Sequence, residues 1–175
     1  GHLRKRGPKG EWAGVHAVAA GRADAAYIKG AAAIEAARAA GLVVVVELDQ
    51  LPDRRFRVNN GTPRPLTVHE DLLQSRPEWV IGFLAQTLRA AAWATDHPAD
   101  VRAILARETG AGDEGVAAAY GPDFHATLAP DLSRERLDLL AIQVDFLARQ
   151  GFVDTPIDVD GWAEHGILAR ALAFA

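Results

Sequence analysis

The 175 residues contain no cysteine and no methionine. The first absence removes disulfides, a thiolate nucleophile and cysteine-ligated zinc. It leaves the compartment open, because a cysteine-free chain tolerates oxidising and reducing surroundings alike. The second leaves the chain without an initiator, so it is expected to be processed or cut from something longer. Serine is nearly absent too, with only Ser75 and Ser133. Neither sits in a Gly-x-Ser-x-Gly elbow, which argues against a hydrolase nucleophile of that kind. Both stand where a helix N-cap is expected. Long apolar runs are missing: Arg22, Asp24, Lys29, Glu35, Arg38 and Glu47 interrupt the alanine-rich start. No stretch reaches the roughly 20 apolar residues that span a bilayer. Excess positive charge is missing as well. A net charge of -4 argues against a nucleic-acid partner, whose electrostatic footprint is basic.

What is present suits one ordinary domain. An apolar fraction of 49% can supply a core, and a chain of this size can bury roughly two-thirds of the surface it exposes when unfolded. The basic start, Arg4-Lys5-Arg6, is followed by Gly7-Pro8 rather than an apolar stretch, so it is not a signal peptide. Gly1-His2 reads as a tag scar, and 1–10 as tag or linker.

Periodicity divides the rest. A short alanine-rich helix over 11–21, a strand over 24–28, a second helix over 30–40 and a strand over 42–48 are expected in turn. The near-continuous run of residues 42–46, Leu-Val-Val-Val-Val, suits a strand buried on both faces. Strand, helix, strand in this order predicts a βαβ unit. Pro52, Asn59-Asn60-Gly61 and Pro63 are turn formers, and 64–69 is a further strand candidate. From position 70 the chain turns helical. Ser75-Arg76-Pro77-Glu78 has the capping-box spacing, and Val80, Phe83, Leu84, Thr87, Leu88 and Ala91 then share a face. Helices from Pro98 to about Gly110, over 113–120, from Ser133 to Gly151 and after Asp160 complete the block. The fold class expected is α/β, with too few strands for its helices.

The candidate chemistry is sparse. No two of the six histidines have the i, i+4 spacing of a helical metal pair. Asp158-Val159-Asp160-Gly161 resembles part of a calcium loop, but with Gly161 at loop position six the first and twelfth places fall on Pro156 and Ile167. Helix capping by Asp160 is the simpler reading. Trp12, Trp79, Trp93 and Trp162 are assigned to core packing. Gly30 follows a strand and opens a helix without the Gly-Lys-Ser/Thr ending of a nucleotide loop. Free N–H groups and the dipole at such a helix start still attract anions. Lys29 immediately before it adds a positive charge. The competing reading of Lys29, a solvated loop residue, is equally weighted. No cofactor and no metal are expected.

Several stretches in order resemble a known family. Ala19-Ala20-Gly21-Arg22-Ala23-Asp24-Ala25-Ala26 looks like the helix, Gly-x-x-Asp-Ala, strand step of type II periplasmic solute-binding proteins of ABC importers. The segment from Thr67 to Glu78 resembles their return segment. Ala92-Trp93-Ala94-Thr95-Asp96-His97-Pro98 and Ile104-Leu105-Ala106-Arg107-Glu108-Thr109-Gly110 are similar to their next two helices. Gln143-Val144-Asp145-Phe146-Leu147, Gly151-Phe152 and Pro156-Ile157-Asp158-Val159 are similar to their closing run. The set points to the nitrate/sulfonate/taurine branch. Tyr120-Gly121-Pro122-Asp123-Phe124-His125 and Leu128-Ala129-Pro130-Asp131-Leu132 also resemble the desulfinase of dibenzothiophene desulfurisation, which shares that fold.

The resemblance implies a two-lobed α/β protein of which this chain covers the C-terminal half: 11–63 as the end of the second lobe, and 64–175 as the returning strand and helices. It implies capture of a small anionic solute between the lobes, delivery to a membrane permease, and a periplasmic or extracellular, membrane-associated location. It does not imply an enzyme. The loop after the Asp-Ala strand would face the cleft, which nominates Tyr27, Lys29 and Gly30, with Asn59 and Asn60 as amide donors. Self-association through exposed apolar surface is a further expectation. The alternative is a cytoplasmic desulfinase-like enzyme whose cysteine nucleophile lies in a missing N-terminal half.

Overall fold

The computed structural model describes residues 12–53, 55, 64–155 and 157–175. In order, its helices are α1 (Ala13–Ala19), α2 (Ala31–Ala39), α3 (Glu70–Ser75), α4 (Pro77–Asp96), α5 (Pro98–Thr109), α6 (Asp113–Tyr120), α7 (Arg134–Arg149), α8 (Val159–Trp162) and α9 (His165–Leu172). Short 3-10 turns cover Leu48–Gln50 and Phe124–Thr127. Among the described residues no helix is long and apolar enough to cross a membrane.

The α/β, two-lobed expectation is corrected: the described residues form helices and no strand. The physical reason is visible at each expected strand. Residues 24–28, 42–47 and 64–69 belong to no regular element; a strand exists only through a ladder to a neighbour, and none of these stretches has one among the described residues. Valine content makes 42–46 a good strand former without supplying its partner.

The chain divides into two compact units. The first takes in the described residues of Gly1–Val45 and Trp93–Leu128. Its core is Ala31 of α2 against Ala111 and Val116, with Leu105, Ala119 and Tyr120 packed beside them. Small residues let α2 and α6 approach closely. A Cβ on Gly115 would stand 2.8 Å from the Ala31 carbonyl oxygen. The Glu35 carboxylate reaches across and accepts the Gly112 N–H at 2.8 Å, satisfying one of the orphan donors at the start of α6. Gly110 ends α5 in the left-handed region at φ 66°, as a helix-stopping glycine does.

The second unit takes in Val46–Ala92 and Ala129–Ala175 as far as they are described. Ile81 and Leu88 of α4 pack on Ala171 of α9, with Leu84, Ile167 and Leu168 around them. Arg89 donates to the Phe174 carbonyl at 2.7 Å and fastens the end of α9 to α4. Arg134 at the start of α7 bonds Asp138 and Asp160, linking α7 to α8. Such exposed ion pairs contribute little stability individually.

Several local expectations change. Ser75 does not cap α4. It is the last residue of α3, a short helix separate from α4, and its hydroxyl donates to the Asp71 carbonyl at 2.6 Å. His69 caps α3 instead, its Nδ1 accepting the Asp71 N–H. Ser133 does precede α7, but its N–H donates to the Asp131 carboxylate rather than its hydroxyl accepting from the helix. Asp160 lies inside α8, and Glu164 caps the final helix by accepting the Gly166 N–H. On α4 the buried face is Val80, Ile81, Ala85, Leu88, Ala91 and Ala94, while Phe83 points outward. The four tryptophans do not fill cores: all are more than a third exposed. Arg76 lies over the Trp79 ring and His97 stacks on Trp93, so two of them are covered by polar neighbours.

Candidate functional site

The start of α2 is where the structure assembles part of the predicted set. The stretch before it passes α1 at Gly14. A Cβ there would lie 3.1 Å from the Ala26 Cβ and 3.3 Å from the Ile28 Cδ1, so glycine at this position lets the stretch lie against the helix. Ala26 and Ile28 lie against α1, and Tyr27 and Lys29 between and after them are exposed. Gly30 then turns the chain into α2 with φ 90° and ψ 145°, a conformation that L side chains rarely adopt.

Gly30 carries no side chain that caps the helix, so α2 opens without a side-chain cap bond. Its N–H groups and dipole favour negative charge. The inner side of this first turn is fixed, because Ala31 and Ala33 are buried. Beside this helix start stand one exposed aromatic residue, Tyr27, and one exposed ammonium group, Lys29. Asn59 and Asn60 lie outside the described residues. The structure therefore brings Tyr27, Lys29 and Gly30 together through local backbone. The sequence pointed to these three but missed the residues that hold them: Gly14, Glu35, Gly112 and Gly115. The Gly112-x-x-Gly115 spacing at the start of α6 was the available signal.

Elsewhere the chemistry is structural. A cleft between α5 and α6, lined by Val101, Leu105, Val116, Tyr120, Phe124 and His125, has room for about a single water. The Tyr120 and Phe124 rings meet in it at 4.6 Å. Asp53 is held below the ordinary carboxylate range chiefly by its hydrogen bond from Arg55. At Asp131 burial acts upward and is the largest single influence. Hydrogen bonds from Ser133 and the charge of Arg136 together outweigh it and leave the carboxyl lowered. Arg134 is raised by Asp160 and Asp138. These are partners in ion pairs, not acids or bases poised near neutrality. Among the described residues no group of three or more metal-binding side chains gathers.

No protein-family model matches the chain. It is similar to the 2'-hydroxybiphenyl-2-sulfinate desulfinases of Rhodococcus erythropolis and Rhodococcus qingshengii, with 30% identity over 106 residues, 61% of this chain and 29% of theirs. Among solved structures it is similar to a cysteine-to-serine mutant of DszB in complex with biphenyl-2-sulfinic acid. The TM-score is 0.76 at 28% identity, over 92% of this chain and 44% of that one. A second structure, of the desulfurization enzyme DszB, gives a TM-score of 0.55 at 29% identity over 58% of this chain and 29% of that one. The chain thus spans less than half the length of the relatives it matches.

These matches overturn the transport reading. The relatives are enzymes, so the expectation of a non-enzymatic solute-binding component of an ABC importer, for sulfonate, nitrate or taurine, is corrected. The periplasmic or extracellular, membrane-associated location expected with it has no support in them.

Proposed function

We propose that these residues serve a desulfinase-like enzyme and supply part of the surface that receives an aryl sulfinate, the nucleophile coming from outside them. The observation that carries this is the 0.76 TM-score at 28% identity, over nearly the whole chain, with an enzyme solved in complex with biphenyl-2-sulfinic acid. Desulfination breaks a carbon–sulfur bond. An aryl sulfinate and water become the arene, whose carbon takes a proton, and hydrogen sulfite. Such a reaction needs a group that attacks sulfur and a donor that protonates carbon. This chain has no cysteine to attack with. Its contribution is recognition. A sulfinate is a monoanion with two acceptor oxygens, matched to Lys29 and to the N–H groups of α2 behind Gly30. The Tyr27 ring, 57% exposed, offers a face to the aryl group. Asn59 and Asn60 complete the proposed set as amide donors. A cytoplasmic location belongs to the same reading.

The test uses the 175-residue chain with biphenyl-2-sulfinate at millimolar concentration. Ligand that binds the folded state raises its melting temperature by mass action. We expect a concentration-dependent rise without sulfite release, and at least a tenfold weaker response for Lys29→Ala. The reading fails if the ligand produces no rise, or if Lys29→Ala responds like the unchanged protein.

A further inference from the structure

His69 is the residue just before α3, and one of its atoms has two incompatible neighbours. Its Nδ1 lies 3.3 Å from the Asp71 backbone nitrogen, a donor, and 3.4 Å from the Asp71 Oδ2, an acceptor. Neutral imidazole has one ring nitrogen that accepts and one that donates, whereas the protonated ring has two donors. With Nδ1 bare, it accepts the Asp71 N–H, and the carboxylate stands lone pair to lone pair with the ring. With Nδ1 protonated, the carboxylate gains a donor and the N–H faces another donor. Each protonation state satisfies one neighbour and leaves the other unmatched. The remaining carboxylate at this helix start, Glu70, is engaged further along the helix, its Oε1 accepting the Gln74 Nε2–H at 2.9 Å. Among the described residues no charged group of another element pairs with His69.

We propose that His69 is a proton-operated cap, which holds the first turn of α3 when neutral and releases it when charged. The inference goes beyond the desulfinase reading and stands independently of it. α3 spans six residues and buries none of them. Isolated helices this short are marginal at best in water, so the bond at the start of α3 weighs more than a cap on a long, well-packed helix. Charging the ring removes the acceptor and sets a cation at the positive end of the helix. The new pair with the Asp71 carboxylate offsets little of this, because both side chains are more than three-quarters exposed. The first turn of α3 is therefore formed with neutral His69 and opens in mild acid. α4 begins separately at Pro77 and has its own buried face, so it stays folded.

Nuclear magnetic resonance of the full isotope-labelled chain, between about pH 8 and pH 5, tests this. Neutral His69 should show the Nε2–H tautomer, because Nδ1 must be bare to accept. As the ring takes up its proton, protection of the Asp71 amide against exchange should fall about threefold beyond the ordinary change of exchange with pH. His69→Asn keeps a side-chain acceptor that does not titrate, and should hold the Asp71 amide protected throughout. His69→Ala should leave that amide unprotected at both ends of the range. An Nδ1–H tautomer in the neutral ring, an Asp71 amide indifferent to the titration of His69, or the same response in His69→Asn would each overturn the proposal.

Discussion

Replacing Gly115 by alanine tests the account of how α2 is held. Alanine in place of glycine inside a helix ordinarily stabilises by about 0.5–1 kcal/mol, because the unfolded chain loses freedom. At Gly115 the new Cβ would meet the Ala31 carbonyl oxygen at 2.8 Å and the Glu35 Cβ and Oε2 at 3.1 Å. The first of these partners is backbone and cannot swing aside. Relief requires α2 and α6 to separate, and overpacking of this kind costs about 1–3 kcal/mol. At mid-range values the balance is a net loss of about 1 kcal/mol, equivalent to a fall in melting temperature of roughly 2–4 °C for a chain of this length. Gly82 on α4 is the internal control. It is exposed, and a Cβ there would meet nothing within 4 Å, so Gly82→Ala should gain the full helix benefit of about 0.5–1 kcal/mol. Urea unfolding followed by circular dichroism measures both, and hydrogen exchange shows whether the loss falls on α2. If Gly115→Ala proved as stable as the unchanged chain, the close approach of α2 and α6 described above would be wrong.

Two further predictions concern helix starts. Glu35→Ala removes the acceptor of the Gly112 N–H and should cost about 1 kcal/mol, while Glu35→Gln should cost less; faster amide exchange at the start of α6 is the readout. Asp131 accepts the Ser133 N–H at 2.9 Å and pairs with Arg136 at 2.8 Å. Its carboxyl is lowered in the folded chain, so its contribution is complete above the unfolded value near about 3.9 and disappears as pH falls through the lower folded value. Unfolding titrations of the unchanged chain and Asp131→Asn should therefore differ at neutral pH and converge in acid. A gap that persists unchanged at the lowest pH would refute this pairing.

The helices were legible because their signals are local. Pro98 at a first turn and Gly110 past a last one delimit α5 within a residue, and the 3.6 period placed α4. The strands were misjudged because a strand is defined by a neighbour, and valine content at 42–46 speaks only of preference. Phe83 was assigned to the wrong face of α4 because periodicity gives the angle between side chains and not which side meets another helix. The tryptophans were misassigned for a related reason: size predicts burial on average, whereas Trp79 and Trp93 lie on the side of α4 turned from its core. At the candidate site Lys29 and Gly30 were readable from the strand-like run ending at a helix start. Gly14 and Gly115 were not, since a glycine that permits contact looks like any other until the contacting atom is known.

That last point links the two unit-one glycines to the proposed chemistry. Tyr27 and Lys29 are exposed in a stretch whose Ala26 and Ile28 lie against α1 at Gly14. The first turn of α2 is fixed only because Ala31 is seated against α6 at Gly115. Both contacts are made where a side chain is missing, so neither adds a polar group near the face proposed to receive the sulfinate. A larger residue at either position would displace Lys29 or the α2 start without altering any group offered to a sulfinate. The expected signature is weaker biphenyl-2-sulfinate binding in Gly14→Val and Gly115→Ala despite an unchanged lysine. Lys29→Ala differs in kind: it should weaken binding and leave stability almost untouched, because its side chain is exposed. Separation of these two patterns distinguishes a residue that meets the ligand from residues that only hold it in place.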